Sequence, residues 1–152
     1  MVRNWLKCRP IDFPASDSHA VAISAIGHTD GLPPNAFEKI YIARRSQSKN
    51  KVFLADFSNR GATGSGAKID RFVGPGVGVI STSRNGGYGV RSGTSMACAA
   101  ATGALARLLS LPENHEWKGM RGEQRSKAII DLARNKATSL GLGDSEGFGL
   151  LP

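Results

Sequence analysis

A chain of 152 residues has the length of one ordinary domain, and a hydrophobic fraction of 40% is enough for one core. No apolar run is long enough to cross a bilayer, which argues against a membrane partner, and residues 1–8 lack the apolar core of a secretory signal. Two cysteines, Cys8 and Cys98, do not make a disulfide framework, so the compartment stays open.

The net charge of +8 comes from 20 lysines and arginines against 12 aspartates and glutamates. The bases are spread out, with four in residues 44–51 and four in residues 118–127, and such a charge favours acidic partners or nucleic acid. No aromatic residues are interleaved with these bases, and no nucleic-acid motif accompanies them. The charge therefore predicts a solvated basic surface, with docking onto an acidic partner chain as the alternative, and nucleic acid is not an expected partner.

The first predicted element in chain order is a strand over residues 20–26, a short and nearly all-apolar run typical of a buried parallel strand. Residues 40–44 and 52–57 are also predicted strands. The polar turn 45–51 joins these two runs, so they could form a hairpin with a basic tip.

Two further strands are predicted over residues 69–73 and 77–81, separated by Gly74-Pro75-Gly76. Asn85-Gly86-Gly87 is a turn, and residues 88–92 lead from it to Gly93. The order of short apolar runs and glycine turns predicts an α/β fold. We expect the runs at 20–26, 52–57, 69–73 and 77–81 to form one mostly parallel sheet, against which the following helix packs.

A helix is predicted to begin near Ser95, and residues 97–111 within it are almost wholly apolar, so the helix should be buried. Cys98 is expected on its packed side, as a small buried hydrophobic residue. A polar loop follows at 112–122. Residues 123–138 then form an amphipathic helix with Ala128, Ile129, Leu132 and Ala133 on one face.

The segment Gly93-Thr94-Ser95-Met96-Ala97 puts a hydroxyl at the start of that apolar helix. The free N–H groups of a first turn and the positive end of the helix dipole would stabilise an oxyanion beside Ser95, which makes this serine a candidate nucleophile. The alternative is structural, because small residues also suit close helix packing.

Five segments of the chain resemble those of the subtilisin-like serine proteases, the subtilases, and they occur in the family's order. Gly93–Ala97 matches the segment that bears the family's nucleophile. The other resemblances are Phe13-Pro14-Ala15 with residues 21–27, Asp56–Gly61 as the F-S-N-R-G turn, residues 74–82 as the A-P-G-V-x-I-x-S-T stretch, and Gly147–Leu150 as G-Y-G-x. The matching segments correspond to the C-terminal half of the family's catalytic domain.

The resemblance implies that residues 1–152 are a single partial catalytic domain of a subtilisin-like α/β fold whose N-terminal half is missing. Residues 31–50, with a Pro-Pro pair, then look like an insertion of about that extent. The implied activity is peptide-bond hydrolysis through an acyl-enzyme, with Ser95 as the catalytic residue. The implied oxyanion hole combines the Ser95 backbone N–H with an asparagine, and Asn4 lies nine positions before Phe13, close to the family's spacing.

The family's catalytic aspartate and histidine have no counterpart in this sequence. Their D-S/T-G and H-G-T motifs are absent, and the only Asp-Gly pair, Asp30-Gly31, follows the strand that should already lie beyond both residues. His19, His28 and His115 are interpreted as surface or core histidines. Ser95 without a base is a weak nucleophile, so the isolated chain is expected to be nearly inert.

Three interpretations remain open at this point. The chain is the serine-bearing portion of an endopeptidase completed by another chain or segment that carries Asp and His, a non-catalytic module kept for binding or assembly, or an incomplete remnant. Peptide or protein is the expected substrate, paired as an extended strand. No cofactor or metal ligand set is predicted. Calcium binding is implied only by the resemblance, and Asp17 would then border a cation loop; the alternative is a solvated loop carboxylate. The resemblance also implies that the protein could be secreted, as members of the family often are.

Overall fold

A computed structural model describes residues 11–31, 51–59 and 70–152 of the chain. The expected strand at 40–44, the tip of its hairpin, nearly all of the expected insertion at 31–50, and Asn4 lie outside these ranges.

The central element is a three-stranded sheet in the order β2-β1-β3. β1 (Val21–His28) is the middle strand and is largely buried, as its apolar sequence predicts. β3 (Asp70–Pro75) runs parallel to it along six residues. β2 (Val52–Leu54) is antiparallel and pairs only with residues 26–28 at the carboxyl end of β1.

The expected sheet of four mostly parallel strands is therefore wrong in two respects, although the α/β class holds. The strand at 52–57 is short and antiparallel, and the strand at 77–81 leaves the sheet altogether. It forms β4 (Val79–Thr82), which pairs antiparallel with β5 (Tyr88–Arg91) as a separate two-stranded ribbon. Gly78, at φ +66°, turns the chain away from β3, and the Asn85–Gly87 turn folds it back on itself.

The long helix α1 (Thr94–Ser110) begins within one residue of the expected start and packs on β1 and β3. Small residues make this close approach possible. A Cβ placed on Gly74 of β3 would lie 2.5 Å from the Ala97 carbonyl oxygen. Glycine at this position therefore lets the strand backbone approach the helix backbone directly.

Only Ala97, Ala101 and Leu108 of α1 are buried, so the expectation of a wholly buried helix is wrong. Cys98 is exposed instead of facing the packed side. The reason is geometric: the sheet covers one side of α1, and each residue step rotates a side chain by about 100° around the helix axis. The residue after the buried Ala97 therefore points away from the sheet.

Two small cores hold these elements together. Ala25, Ala55 and Ala97 form the first, between β1 and the start of α1. The second consists of Phe72, Ala101, Ala133 and Leu151. Ala133 comes from α2 (Gly122–Lys136), which confirms the predicted amphipathic helix, and the rest of its predicted apolar face is partly buried.

In the described ranges no single helix has the length and apolar character needed to cross a bilayer. Residues 94–119 meet that criterion by length and composition only when two helical segments at an angle of 92° are counted together.

Ser58 offers a test of how the sheet is held. Its buried hydroxyl accepts the Ala25 N–H at 3.0 Å, and Ala25 is itself fully buried. Ser58→Ala leaves that N–H without an acceptor, so we expect the free energy of unfolding to fall by about 2 kcal/mol in urea titrations. Ser126→Ala, on the exposed side of α2, should change it by less than about 0.5 kcal/mol. Equal effects would contradict the role of this hydrogen bond.

Candidate functional site

Ser95 is the second residue of α1 and is exposed. A short chain of backbone hydrogen bonds connects it to the sheet. The Gly93 N–H donates to the Gly76 carbonyl at 2.8 Å, and the Gly76 N–H donates to the Ile26 carbonyl at 2.8 Å. The start of the helix is thus attached to the carboxyl ends of β1 and β3, on rigid elements rather than a free loop.

Gly76 is a second point of close approach in this attachment. A Cβ at Gly76 would lie 2.7 Å from the Ala25 Cβ and 2.9 Å from the Gly93 carbonyl oxygen. Both distances are shorter than van der Waals contact, so any side chain there would push the helix start away from the sheet. The glycine in the Gly74-Pro75-Gly76 segment therefore positions Ser95 without touching it.

The first turn of α1 leaves backbone donors available beside the serine. The N–H groups of Met96 and Ala97 both donate to the Gly93 carbonyl, at 3.1 and 3.3 Å. No side chain caps the helix, and in the described ranges the Ser95 N–H has no acceptor. An exposed hydroxyl therefore stands next to an unused N–H at the positive end of a 17-residue helix, where backbone N–H groups favour negative charge.

The three histidines lie at the surface, and the hydrogen bonds of the described residues do not join any of them to Ser95. His19 precedes β1, at the end of the sheet opposite the serine, and its side chain is 94% exposed. His28 ends β1, where its Nδ1 accepts the Asp30 N–H at 3.3 Å. The Nε2 of His115 accepts from the Lys118 ammonium at 3.1 Å. The sequence interpretation of these residues as non-catalytic is consistent with these positions.

Asp17, Ser18 and His19 bring the residue types of a catalytic triad together, but not its geometry. The Asp17 carboxylate and the Ser18 hydroxyl both contact the same ring nitrogen, Nδ1 of His19, at 3.1 and 3.4 Å. A proton relay needs the carboxylate on one nitrogen and the hydroxyl on the other. This cluster therefore forms a surface turn rather than a second active site.

Asp17 is held by the same turn. Its pKa is lowered, first because its carboxylate accepts the His19 backbone N–H at 2.8 Å and then because it accepts from the imidazole. No three His, Cys, Asp or Glu side chains within residues 11–31, 51–59 and 70–152 come together as a metal site.

Ser92 is a positioning residue that sequence reasoning missed. Its hydroxyl accepts the Gly78 N–H at 2.9 Å, which closes the base of the β4–β5 ribbon immediately before Gly93. The signal available in the sequence was the Asn85–Gly87 turn, whose position midway between two short runs indicates a hairpin.

Comparison with known proteins identifies a family for this chain: a model of the Subtilase family matches residues 7–149. A solved structure described as Sphericase is similar with a TM-score of 0.63 and 22% identity, over 93% of this chain and 43% of that one. An S41 psychrophilic protease is similar with a TM-score of 0.63 and 24% identity, over 95% of this chain and 44% of that one. The CspB protease of Clostridium perfringens is similar with a TM-score of 0.57 and 22% identity, over 91% of this chain and 26% of that one. No curated protein sequence matches the chain.

These structural likenesses concern the fold. The chain spans less than half the length of each of the three proteins, 43% of the first and 44% of the second. The predicted α/β fold of the subtilisin type is confirmed. The chain covers only part of each related structure.

Proposed function

The chain belongs to the subtilase family, and on that premise we propose that it is the serine-bearing portion of a subtilisin-like serine endopeptidase. It hydrolyses peptide bonds through an acyl-enzyme when another chain or segment supplies the catalytic Asp and His. The observation that carries this proposal is the exposed Ser95 hydroxyl beside its own unused backbone N–H at the start of α1.

The reaction needs the serine, a base and an oxyanion donor. The Ser95 Oγ attacks the scissile carbonyl carbon while the supplied histidine takes the hydroxyl proton. The carbonyl oxygen becomes an oxyanion that the Ser95 N–H binds. The intermediate collapses as the C–N bond breaks, and the histidine gives its proton to the leaving amine. Water then attacks the carbonyl carbon of the acyl-enzyme while the histidine takes a proton from the water. The bond to the Ser95 Oγ breaks and the histidine returns its proton to Oγ, which releases the acid and restores Ser95.

Asn4 is the proposed second oxyanion donor. Its amide would donate a hydrogen bond to the oxyanion in addition to the Ser95 N–H. An asparagine in this role contributes about 3 kcal/mol of transition-state stabilisation in subtilisin, a member of the same family. This assignment rests on the family's spacing between the asparagine and the Phe13-Pro14-Ala15 segment.

One surface of the chain supports a completing partner. Ala25 directs both its N–H and its C=O towards the β2 side of the sheet. Backbone groups alternate along a strand, so Val21 and Ile23 face the same way, yet β2 pairs only with residues 26–28. Within the described ranges this part of the β1 edge has no neighbouring strand, and Val21 is 41% exposed. An added strand would satisfy these backbone groups.

The exposed side of α1 supports the same partner. Ser95 shares it with small or apolar side chains one, two and three turns further along: Cys98, Ala99, Thr102 and Ala106. A helix that is apolar on the side away from the sheet is typical of a buried helix between two layers. A partner that covers this side would bring its residues up to Ser95.

We expect a fluorophosphonate probe to label Ser95 strongly in the assembly and weakly in the lone chain, because only a nearby base makes the hydroxyl a good nucleophile. The assembly is formed with a polypeptide that carries D-S/T-G and H-G-T motifs, sought first in the neighbouring reading frames. The matched control replaces the histidine of that polypeptide with alanine, which should return labelling to the level of the lone chain. Equal labelling of the lone chain would contradict the need for a partner.

The second candidate function is a non-catalytic subtilase-like module for binding or assembly. It is favoured by the exposed apolar side chains of the β4–β5 ribbon, because these serve an interface whether or not Ser95 reacts. A confirmed complex with its histidine in place that leaves Ser95 unlabelled would establish this function instead.

A further inference from the structure

The β4–β5 ribbon carries the most exposed apolar strand surface among the described residues. Ile80 lies directly opposite Val90, and two residues further along β4 Thr82 lies opposite Tyr88. Because side chains alternate between the two faces of a strand, all four share one face of the ribbon. Ile80, Tyr88 and Val90 are 70%, 80% and 67% exposed. We call these four residues the ribbon face. Large apolar side chains clustered in this way mark an interaction site.

The charge of the ribbon is of one sign. Between residues 79 and 91 the only charged side chains are Arg84, at the tip, and Arg91, at the end of β5, and both are exposed. In the described ranges no carboxylate forms an ion pair with either arginine. An occupant with apolar side chains and carboxylates would therefore complement the ribbon at its face and at both ends.

The backbone of the ribbon also offers a site. β4 and β5 pair only with each other among the described strands, so their outer edges present free N–H and C=O groups. An extended polypeptide placed along an edge gains main-chain hydrogen bonds and lays alternate side chains beside the ribbon face. A two-stranded ribbon is marginally stable alone, so a third strand would stabilise it as well.

We propose that the ribbon face docks an extended, acidic and apolar segment of the protein substrate, outside the bond that is cut. The ribbon leads directly into the nucleophile: β5 ends at Arg91, the Ser92 hydroxyl holds Gly78 across its base, and α1 begins after Gly93. A polypeptide held on the ribbon is thereby held next to Ser95. The identity of the occupant as substrate rests on the proposed function, whereas its binding does not depend on hydrolysis.

Two other occupants fit the ribbon less well. A second copy of this chain would bring together two molecules of net charge +8, which repel each other. An anionic lipid surface would complement the arginines and the apolar face, but lipid leaves the unpaired edge groups without hydrogen-bond partners. An extended polypeptide satisfies the apolar face, the charges and the edges together.

Binding is tested with the Ser95→Ala chain, so that cleavage plays no part. A fluorescein-labelled peptide of about ten residues, alternating valine and glutamate, is titrated with the chain and followed by fluorescence anisotropy. We expect it to bind at least about tenfold more tightly than a valine–lysine peptide or a serine–glutamate peptide of equal length. Equal affinity for the three peptides would overturn the proposal.

The site is located with variants that keep strand propensity. Ile80→Thr combined with Val90→Thr should weaken binding of the valine–glutamate peptide at least about tenfold, since threonine suits a strand but removes apolar surface. Arg84→Glu should weaken it as well. Phe13→Thr is the matched control, because Phe13 is 81% exposed but lies outside the ribbon, and it should bind normally. Loss of binding in the Phe13 variant alone would overturn the assignment.

Further measurements separate the occupants. A dimer in sedimentation velocity that the double threonine variant abolishes, or binding to phosphatidylserine vesicles without binding to the peptide, would each replace the proposed occupant. In the active assembly, assayed without the probe, a substrate with a valine–glutamate extension should show a KM about tenfold lower than one with a valine–lysine extension, at equal kcat. Peptide binding without this KM difference would overturn the assignment of the occupant as substrate.

Discussion

Replacing Ser95 with alanine should abolish fluorophosphonate labelling and lower peptide hydrolysis by the completed assembly about a million-fold, the loss known for the nucleophile of subtilisin itself. The physical reason is that the proposed acyl-enzyme forms on the exposed Ser95 Oγ, beside an unused N–H of the first turn of α1. Without the Oγ no acyl-enzyme forms. The measurement is single-turnover hydrolysis of a peptide amide, with mass spectrometry of the probe adduct.

Ser110→Ala is the control for this substitution. Ser110 ends the same helix, and its hydroxyl donates to the Arg107 carbonyl at 2.7 Å. This variant should keep both labelling and rate, because the serine lies at the opposite end of α1 from the site. A Ser95→Ala assembly that is still labelled would move the nucleophile to another residue and overturn the proposed mechanism.

Replacing Gly149 with alanine should lower the free energy of unfolding by about 4 kcal/mol, which combines the strain of a left-handed backbone with overpacking. Gly149 has φ +104°, and a Cβ there would collide with the Thr138 carbonyl oxygen. That oxygen accepts the Leu150 N–H, and the Gly149 carbonyl accepts the Val73 N–H. A shift of this backbone would therefore break the bridge from the C-terminal segment to β3. Urea denaturation of the lone chain measures the effect.

Gly103→Ala is the matched control for the glycine. Gly103 lies inside α1 with no positive φ, and a Cβ there would meet nothing within 4 Å. Alanine favours a helix interior over glycine, so this variant should stabilise the chain by about 0.8 kcal/mol. If Gly149→Ala cost no more than Ser58→Ala, the close approach at the C-terminal segment would not be a constraint on the fold.

The comparison of the two glycines illustrates what remains hidden in a sequence. Gly149 and Gly103 are the same residue type in the sequence. Gly149 lies in a left-handed backbone conformation against the Thr138 carbonyl, whereas Gly103 lies on an open helix surface. Their opposite expected effects follow from the tertiary structure alone.

Several elements could be predicted because their cause is local. The apolar run at β1, the 3.6-residue periodicity of α2 and the helix that begins beside Ser95 all depend on side chains close in the sequence. Ser95 could be proposed as a nucleophile for the same reason, since its segment forms one continuous turn and helix start, and that role stays a prediction. Asn4 and the insertion at 31–50 stay predictions, because they lie outside the described residues.

The tertiary structure alone decided which strands pair and which helix face is covered. The Asn85–Gly87 turn indicates a hairpin, but no local pattern shows that residues 77–81 leave the main sheet to form it. Gly78 turns the chain, and pairing with β5 across a short turn costs less loop-closure entropy than pairing with a distant strand. Cys98 is exposed because α1 has a layer on one side only in the described ranges. Periodicity determines that an element forms, whereas its partner depends on contacts between residues far apart in the chain.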